Sequence, residues 1–208
     1  MVGQKKTPRH HKTTAVRQKE IILAARKLII RKGAEHVTVR GIAGEVGITE
    51  AAIYRHFKSK KDILSLLLDI IEQRLVRDIT RERRDGNSSL ETLDSALRHH
   101  LSAIERRQGV SFQVIAEIIS LGDRGLSQRT SKVVDRYLAS IKELLSDGVK
   151  AGTVRKETDL DATATLLFAI VQGIVSIWAL QDYAFDPIPR YEPMWQIVRR
   201  AIEVPQQS

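Results

Sequence analysis

Three observations predict an all-α fold for this 208-residue chain. Apolar residues recur at helical spacing throughout, no segment sustains the alternation of a half-buried strand, and Gly or Pro breaks fall at intervals suited to helices. About nine helices are expected. The first runs from about Ala15 to Lys32, where Ile21, Ile22, Ala25, Leu28 and Ile29 form one stripe and Gly33 is placed to end it. Thr38 is suited to cap a short helix over Val39 to Val46, Gly47 stops that helix, and Thr49 caps another reaching about His56. Ser59 opens a long helix to about Arg84, with Ile63, Leu64, Leu67, Leu68, Ile71, Leu75 and Ile79 on its buried side. Asp85-Gly86-Asn87 breaks the chain, and Ser88 with Glu91 has the form of a capping box for a helix to about Gln108. Further stripes occupy Val110 to Leu121, Leu126 to Ala151 and Asp159 to Asp182, separated by Gly122, Gly125 and Gly152. A proline-bearing turn from Asp186 to Pro193 precedes a short last helix through about Ile202.

Charge divides the chain unevenly. The net charge is +9, yet residues 1–60 hold 14 Lys or Arg against 4 Asp or Glu, while the remainder holds 20 against 21. This split predicts a module that meets a polyanion, joined to one that does not. Three segments follow: a basic arm over residues 1–14, a helical module over 15–60, and a larger helical domain over 61–208. The helix from about 59 to 84 links the last two. With no cysteine, disulfides, thiolate metal sites and cysteine catalysis are excluded, and a reducing cytoplasm is expected. The longest apolar runs, Ile63 to Ile71 and Ala162 to Val175, are broken by Ser65, Asp69, Thr163, Thr165 and Gln172, so no membrane span is expected. The basic start lacks the apolar core of a signal peptide, and export is not expected. No glycine-rich phosphate loop, acid pair in an apolar setting or nucleophile elbow is present, which argues against an enzyme.

The segment Val39 to Phe57 carries the most specific pattern. Apolar residues fall at Ile42, Val46, Ile48, Ile53 and Phe57, and small ones at Ala43 and Gly47. Two helices crossing steeply need a small residue at the crossing, and their turn needs one tolerant of positive φ; Ala43 and Gly47 meet these needs. An ordinary helical hairpin makes the same demands, but the concentrated positive charge favours a helix-turn-helix on DNA. Here Ile22-Leu-Ala-Ala-Arg-Lys-Leu28, Gly33, Thr38-Val-Arg-Gly-Ile-Ala43 and Val46-Gly-Ile-Thr-Glu-Ala-Ala-Ile-Tyr-Arg-His-Phe-Lys-Ser-Lys60 resemble the DNA-binding domain of TetR-family regulators. The likeness is close over residues 20–68. From Arg84 onward only chain length, helix count and the Asp159-Leu-Asp-Ala162 entry to a long helix are similar.

Geometry nominates the DNA-reading residues. Thr49, Glu50, Ala51, Tyr54 and Arg55 take the exposed face of the recognition helix, and the first three, near its N-terminus, reach major-groove base edges first. Thr38 and Arg40 are expected to grip the opposite strand. The resemblance implies phosphate contacts for Tyr54 and Lys60. Glu50 departs from the small or basic residue commoner in the family; its carboxylate either accepts from a cytosine amine or points to solvent or Arg40. His56 is read as packing, and the arm with His10 and His11 as either a phosphate- or minor-groove-binding extension or a solvated end.

For residues 61–208 the resemblance implies a ligand pocket and dimerisation through the last two long helices. Ala162, Ala164, Ala169, Gly173 and Ser176 are small enough for close approach of two subunits. Trp178, Met194 and Trp195 fill either that seam or rim, or the subunit's own core. Candidate pocket residues, on the expected inward faces, are Leu68, Ile71, His100, Ile104, Phe112, Ile115, Ile119, Tyr137, Phe168 and Gln172; each also suits plain core. Such a lining fits a small apolar, aromatic or acyl effector. Adjacent His99 and His100 face different sides of a helix, so no metal site and no cofactor are expected. The function expected is a homodimeric regulator binding a palindromic operator in double-stranded DNA, usually as a repressor and associated with the nucleoid, released by an effector. A DNA-organising protein with the same architecture and no small-molecule switch is the alternative.

Overall fold

The computed structural model describes residues 13–82 and 89–205, with side chains placed at 13–75 and 89–205. Among these residues nine α-helices follow in order: α1 (Thr14–Lys32), α2 (Val39–Val46), α3 (Glu50–Tyr54), α4 (Lys60–Glu82), α5 (Ser89–Arg106), α6 (Val110–Leu121), α7 (Arg124–Lys150), α8 (Leu160–Leu180) and α9 (Pro187–Ile202). The chain forms two compact units, Met1–Ile63 and Leu64–Ser208, divided within α4. The expected arm before Thr13, the break at Asp85-Gly86-Asn87, Ser88 and the Ile79 side chain lie outside the described residues.

In the first unit α2 packs on both α1 and α3. Its core gathers Ile21, Ala25 and Leu28 of α1 with Ile42, Ile53 and Phe57. Ile42 and Ile53 keep no exposed surface, and each such side chain contributes about 2–3 kcal/mol by burial. Thr38 and Thr49 cap α2 and α3 by accepting from the backbone N–H of Gly41 and Ala52. Between them Gly47 adopts φ 73°, ψ 37°, the left-handed conformation a side chain disfavours. Recognition helix α3 ends at Tyr54, short of the expected His56, because the chain tightens: the N–H groups of both His56 and Phe57 donate to the Ile53 carbonyl.

In the second unit α5, α7, α8 and α9 form a closed set, with α5 against α7 and α9, and α8 against the same two. Leu93, Leu97, Leu101, Ile141, Leu145, Leu167, Val171, Val175, Tyr191 and Trp195 fill its centre. A single bridge between Val154 and Glu203 ties the α7–α8 turn to the chain after α9. Gly148 permits that turn to close, since a Cβ there would lie 2.5 Å from Val154 Cγ2.

Several elements differ from expectation. Gly125 lies inside the first turn of α7, which starts early because Asp123 caps it by accepting from the Leu126 N–H. The expected proline turn is helical: Asp186 caps α9, Pro187 occupies a first-turn position where no N–H is needed, and Pro193 lies within the helix on its exposed side. By length and composition alone α8 is apolar enough to cross a membrane, with a mean hydropathy of 1.9 over its most apolar stretch, a test that the core helix of a globular domain also passes. The hydroxyls that interrupt it are absorbed by the helix itself, Thr163, Thr165 and Ser176 donating to the carbonyls of Asp159, Asp161 and Gln172. One face of α8 is core, with Leu167, Val171, Ile174, Val175 and Trp178 buried, whereas Leu166, Ile177 and Leu180 are exposed.

Candidate nucleic-acid interface

The first unit presents its predicted DNA residues from the N-terminal ends of α2 and α3. Thr38, Arg40, Thr49, Ala51 and Arg55 are exposed. Tyr54 keeps 51% of its surface accessible. Ile53, between Ala52 and Tyr54, points fully inward, so the outward face of α3 falls to the residues expected. Each capping threonine spends an acceptor lone pair on its own helix and keeps a hydroxyl proton to donate, the chemistry a phosphate oxygen needs.

Glu50 is held by Arg40, whose Nε lies 2.9 Å from its Oε1. That hydrogen bond, with the carboxylate's charge, raises the Arg40 pKa. The Arg40 side chain is 87% exposed, and solvent screens such surface pairs so that they hold weakly. In the chain without DNA the Glu50 carboxylate is paired with Arg40. Lys60 is anchored by its own fold: its Nζ donates to the carbonyls of Ala34 at 3.0 Å and Glu35 at 3.4 Å, which fixes the charge at the start of α4. Glu45 is bracketed by Lys27 and Arg31, whose hydrogen bonds and charges lower its pKa against the opposing effect of desolvation. Sequence spacing did not reveal this link from α1 to α2. His56 is half-buried, with an Nδ1 that has no hydrogen-bond partner.

In the second unit the candidate pocket residues separate. Leu68, Ile71, Ile104 and Tyr137 are buried, and His100, Phe112, Ile115, Phe168 and Gln172 are half-buried. The Tyr137 ring links two others, lying 5.2 Å from His100 and 5.7 Å from Phe168 between centroids. Desolvation, with the nearby positive charge of Arg107 and then His99, lowers the His100 pKa to about 4, so the imidazole is neutral at pH 7. Ile119 is a correction: it is 68% exposed, and the buried face of α6 belongs to Val110, Val114 and Ile118. Trp178 and Trp195 join the subunit's core, whereas Met194 is exposed. The sequence reading also missed two arginines of α7 that hold α4. Arg129 donates to Ser65 and Asp69, and Arg136 to Glu72. The signal lay in matching helical spacings, which alone do not select a partner helix. Among the described residues no group of three metal-ligating side chains occurs.

Residues 21–67 match the profile of bacterial regulatory proteins of the tetR family, and residues 70–201 match the C-terminal region of YsiA-like proteins. The chain belongs to the TetR family. It is accordingly a DNA-binding transcription regulator with a helix-turn-helix. Among TetR-fold structures it is similar to the fatty acid degradation regulator FadR of Bacillus halodurans, with 23% identity, TM-score 0.75, and coverage of 94% of this chain and 96% of that one. It is also similar to Bacillus subtilis FadR in complex with stearoyl-CoA, with 21% identity, TM-score 0.73, and coverage of 86% and 96%. Over 98% of its length it is 25% identical to the whole of the nucleoid occlusion factor SlmA of Vibrio vulnificus.

Proposed function

We propose that this TetR-family protein is a ligand-responsive repressor that binds a palindromic operator as a homodimer and is released by an apolar or acyl effector. The observation that carries this reading is the outward face of the first unit, where Thr38, Arg40, Thr49, Ala51, Tyr54 and Arg55 stand exposed on a rigid, capped helix pair. Thr49, Glu50 and Ala51 read base edges; Thr38, Arg40, Tyr54 and Lys60 hold phosphates. Arg40 exchanges Glu50 for phosphate, leaving that carboxylate to accept from a cytosine amine. Dimerisation uses the exposed small and apolar stripe of α8, with Ala162, Leu166, Ala169, Gly173, Ile177 and Leu180, together with Met194 and Ile197 of α9. The effector site lies in the second unit, among those candidate pocket residues that face inward. The likeness to a regulator bound to stearoyl-CoA supports a long apolar effector.

The test is fluorescence anisotropy over a salt series, comparing a genomic fragment beside the protein's own gene with a scrambled duplex. A sequence-specific regulator prefers the native fragment, and its affinity falls roughly 10³-fold between about 50 and 200 mM salt if about six phosphates are neutralised. No binding at low salt overturns the reading. The similarity to SlmA along nearly the whole chain favours a second reading, a DNA-organising protein without an effector switch. Equal affinity for both duplexes, unchanged by any acyl or aromatic compound, would select it.

A further inference from the structure

Charge in the second part of the chain is nearly balanced, with 20 Lys or Arg against 21 Asp or Glu over residues 61–208, yet arginines gather at one place in it. Where the turn after α7 meets the chain after α9, a surface cleft of about 430 Å³ is lined by Arg155, Arg199, Arg200, Glu203, Val204 and Pro205. Backbone hydrogen bonds fix its walls to each other. The Arg155 N–H donates to the Ile202 carbonyl at 2.8 Å, and the Val204 N–H to the Thr153 carbonyl at 3.0 Å. Three guanidiniums against one carboxylate leave the lining with a positive excess of two charges.

Part of that charge has a structural use. Arg155 donates from Nε to the Glu203 carbonyl at 3.0 Å and from Nη2 to the Arg200 carbonyl at 3.5 Å, satisfying the end of α9. Arg199 holds the Glu203 carboxylate through Nε at 3.0 Å and Nη2 at 2.7 Å. Hydrogen bonding to Glu203, with the charges of Glu203, Glu91 and Asp94, raises the Arg199 pKa against the opposing effect of desolvation. Neither Glu91 nor Asp94 lines the cleft. The remaining donors are unused: Nη1 of Arg155, Nη1 of Arg199 and the whole guanidinium of exposed Arg200 have no hydrogen-bond partner among the described residues. Clustered like charges repel one another, and an anion shared between them removes that cost.

We propose that this cleft binds a phosphate monoester, with the dianionic phosphate shared among Arg155, Arg199 and Arg200 and the organic body against Val204 and Pro205. The excess of two positive charges matches a dianion, and guanidinium forks meet phosphate oxygens with paired N–H donors. Two of the three arginines are already held by hydrogen bonds, so binding costs them little side-chain freedom. The cleft has the size of a small-molecule site, roughly 300–1,000 Å³, and exceeds what a lone phosphate fills. None of its residues belongs to the candidate effector pocket, so this is a second ligand site that does not depend on the ligand-responsive reading.

The test is titration calorimetry on the full-length protein with phenyl phosphate, inorganic phosphate and benzenesulfonate, at about pH 8, above the second phosphate pKa of about 6. Phenyl phosphate is expected to bind about tenfold tighter than inorganic phosphate, which lacks the organic body, and than benzenesulfonate, which carries a single charge. Arg200→Gln removes a guanidinium that holds nothing in the fold and should weaken phenyl phosphate about tenfold. Arg190→Gln removes an equal charge from α9 outside the cleft and should leave that affinity unchanged. Thermal unfolding verifies the fold of both variants. Absence of phenyl phosphate binding, or equal affinities in Arg200→Gln and Arg190→Gln, overturns the site, the latter because net charge or the basic first unit would then be the cause. Inorganic phosphate binding as tightly as phenyl phosphate overturns the monoester, and benzenesulfonate doing so overturns the match to a dianion.

Discussion

At the residue scale, the side chains proposed to face DNA differ in how firmly the fold holds them. Thr38, Thr49 and Lys60 are fixed by hydrogen bonds to backbone within the first unit. Tyr54 is instead held through its position on α3, with its side chain open to solvent. Tyr54→Ala is therefore expected to leave the fold and the dimer intact while weakening operator binding about tenfold, as loss of one good contact does. Anisotropy and analytical ultracentrifugation check the two halves of that outcome, and wild-type affinity would mean that α3 docks differently. His100 carries a pH signature. Its folded pKa, about 4, lies below the ordinary histidine value, so between about pH 4 and 6.5 the unfolded chain binds more protons. Stability contributed by neutral His100 is fully present above that window and is lost as pH falls through it. Denaturant unfolding followed from pH 7 to 4 should show a decline that His100→Gln reduces by on the order of 2 kcal/mol.

At the element scale, the turn between α2 and α3 determines how the recognition helix is presented. Gly47 is left-handed and a Cβ there would meet nothing within 4 Å, so the constraint is backbone conformation and not space. Gly47→Val is expected to cost about 1–2 kcal/mol and to lower operator affinity together with thermal stability. Gly47→Asn, whose side chain tolerates that region, should recover most of both in calorimetry and anisotropy. The spacing of Ile42, Val46, Ile48 and Ile53 with small Ala43 and Gly47 makes this helix pair legible in the sequence. The contrast is α6, where Phe112, Ile115 and Ile119 compete with Val110, Val114 and Ile118 for the inward face. Both sets are apolar and helically spaced, so periodicity cannot choose between them; packing against α5 and α7 selects the second.

At the scale of the whole molecule, two apolar faces of α8 serve different ends. One fills the subunit core, and the other, which includes Gly173, remains exposed on the single chain. A Cβ at Gly173 meets no atom of the same chain within 4 Å. Gly173→Leu should consequently fold as a subunit and shift the sedimentation coefficient toward monomer, with operator affinity falling because two recognition helices are no longer linked. A variant that remains fully dimeric at micromolar concentration would move the interface away from this face.

The sequence by itself determined the all-α class, the capped helix-turn-helix and the concentration of positive charge in the first 60 residues. These are local properties: period, cap chemistry, turn glycines and charge count act between residues near in the chain. Only tertiary structure decided that Arg40 holds Glu50, that Arg129 and Arg136 hold α4, and that Trp178 and Trp195 enter the subunit's own core. Those outcomes join residues distant in sequence, and a helix's spacing specifies which residues share a face without specifying what packs against it.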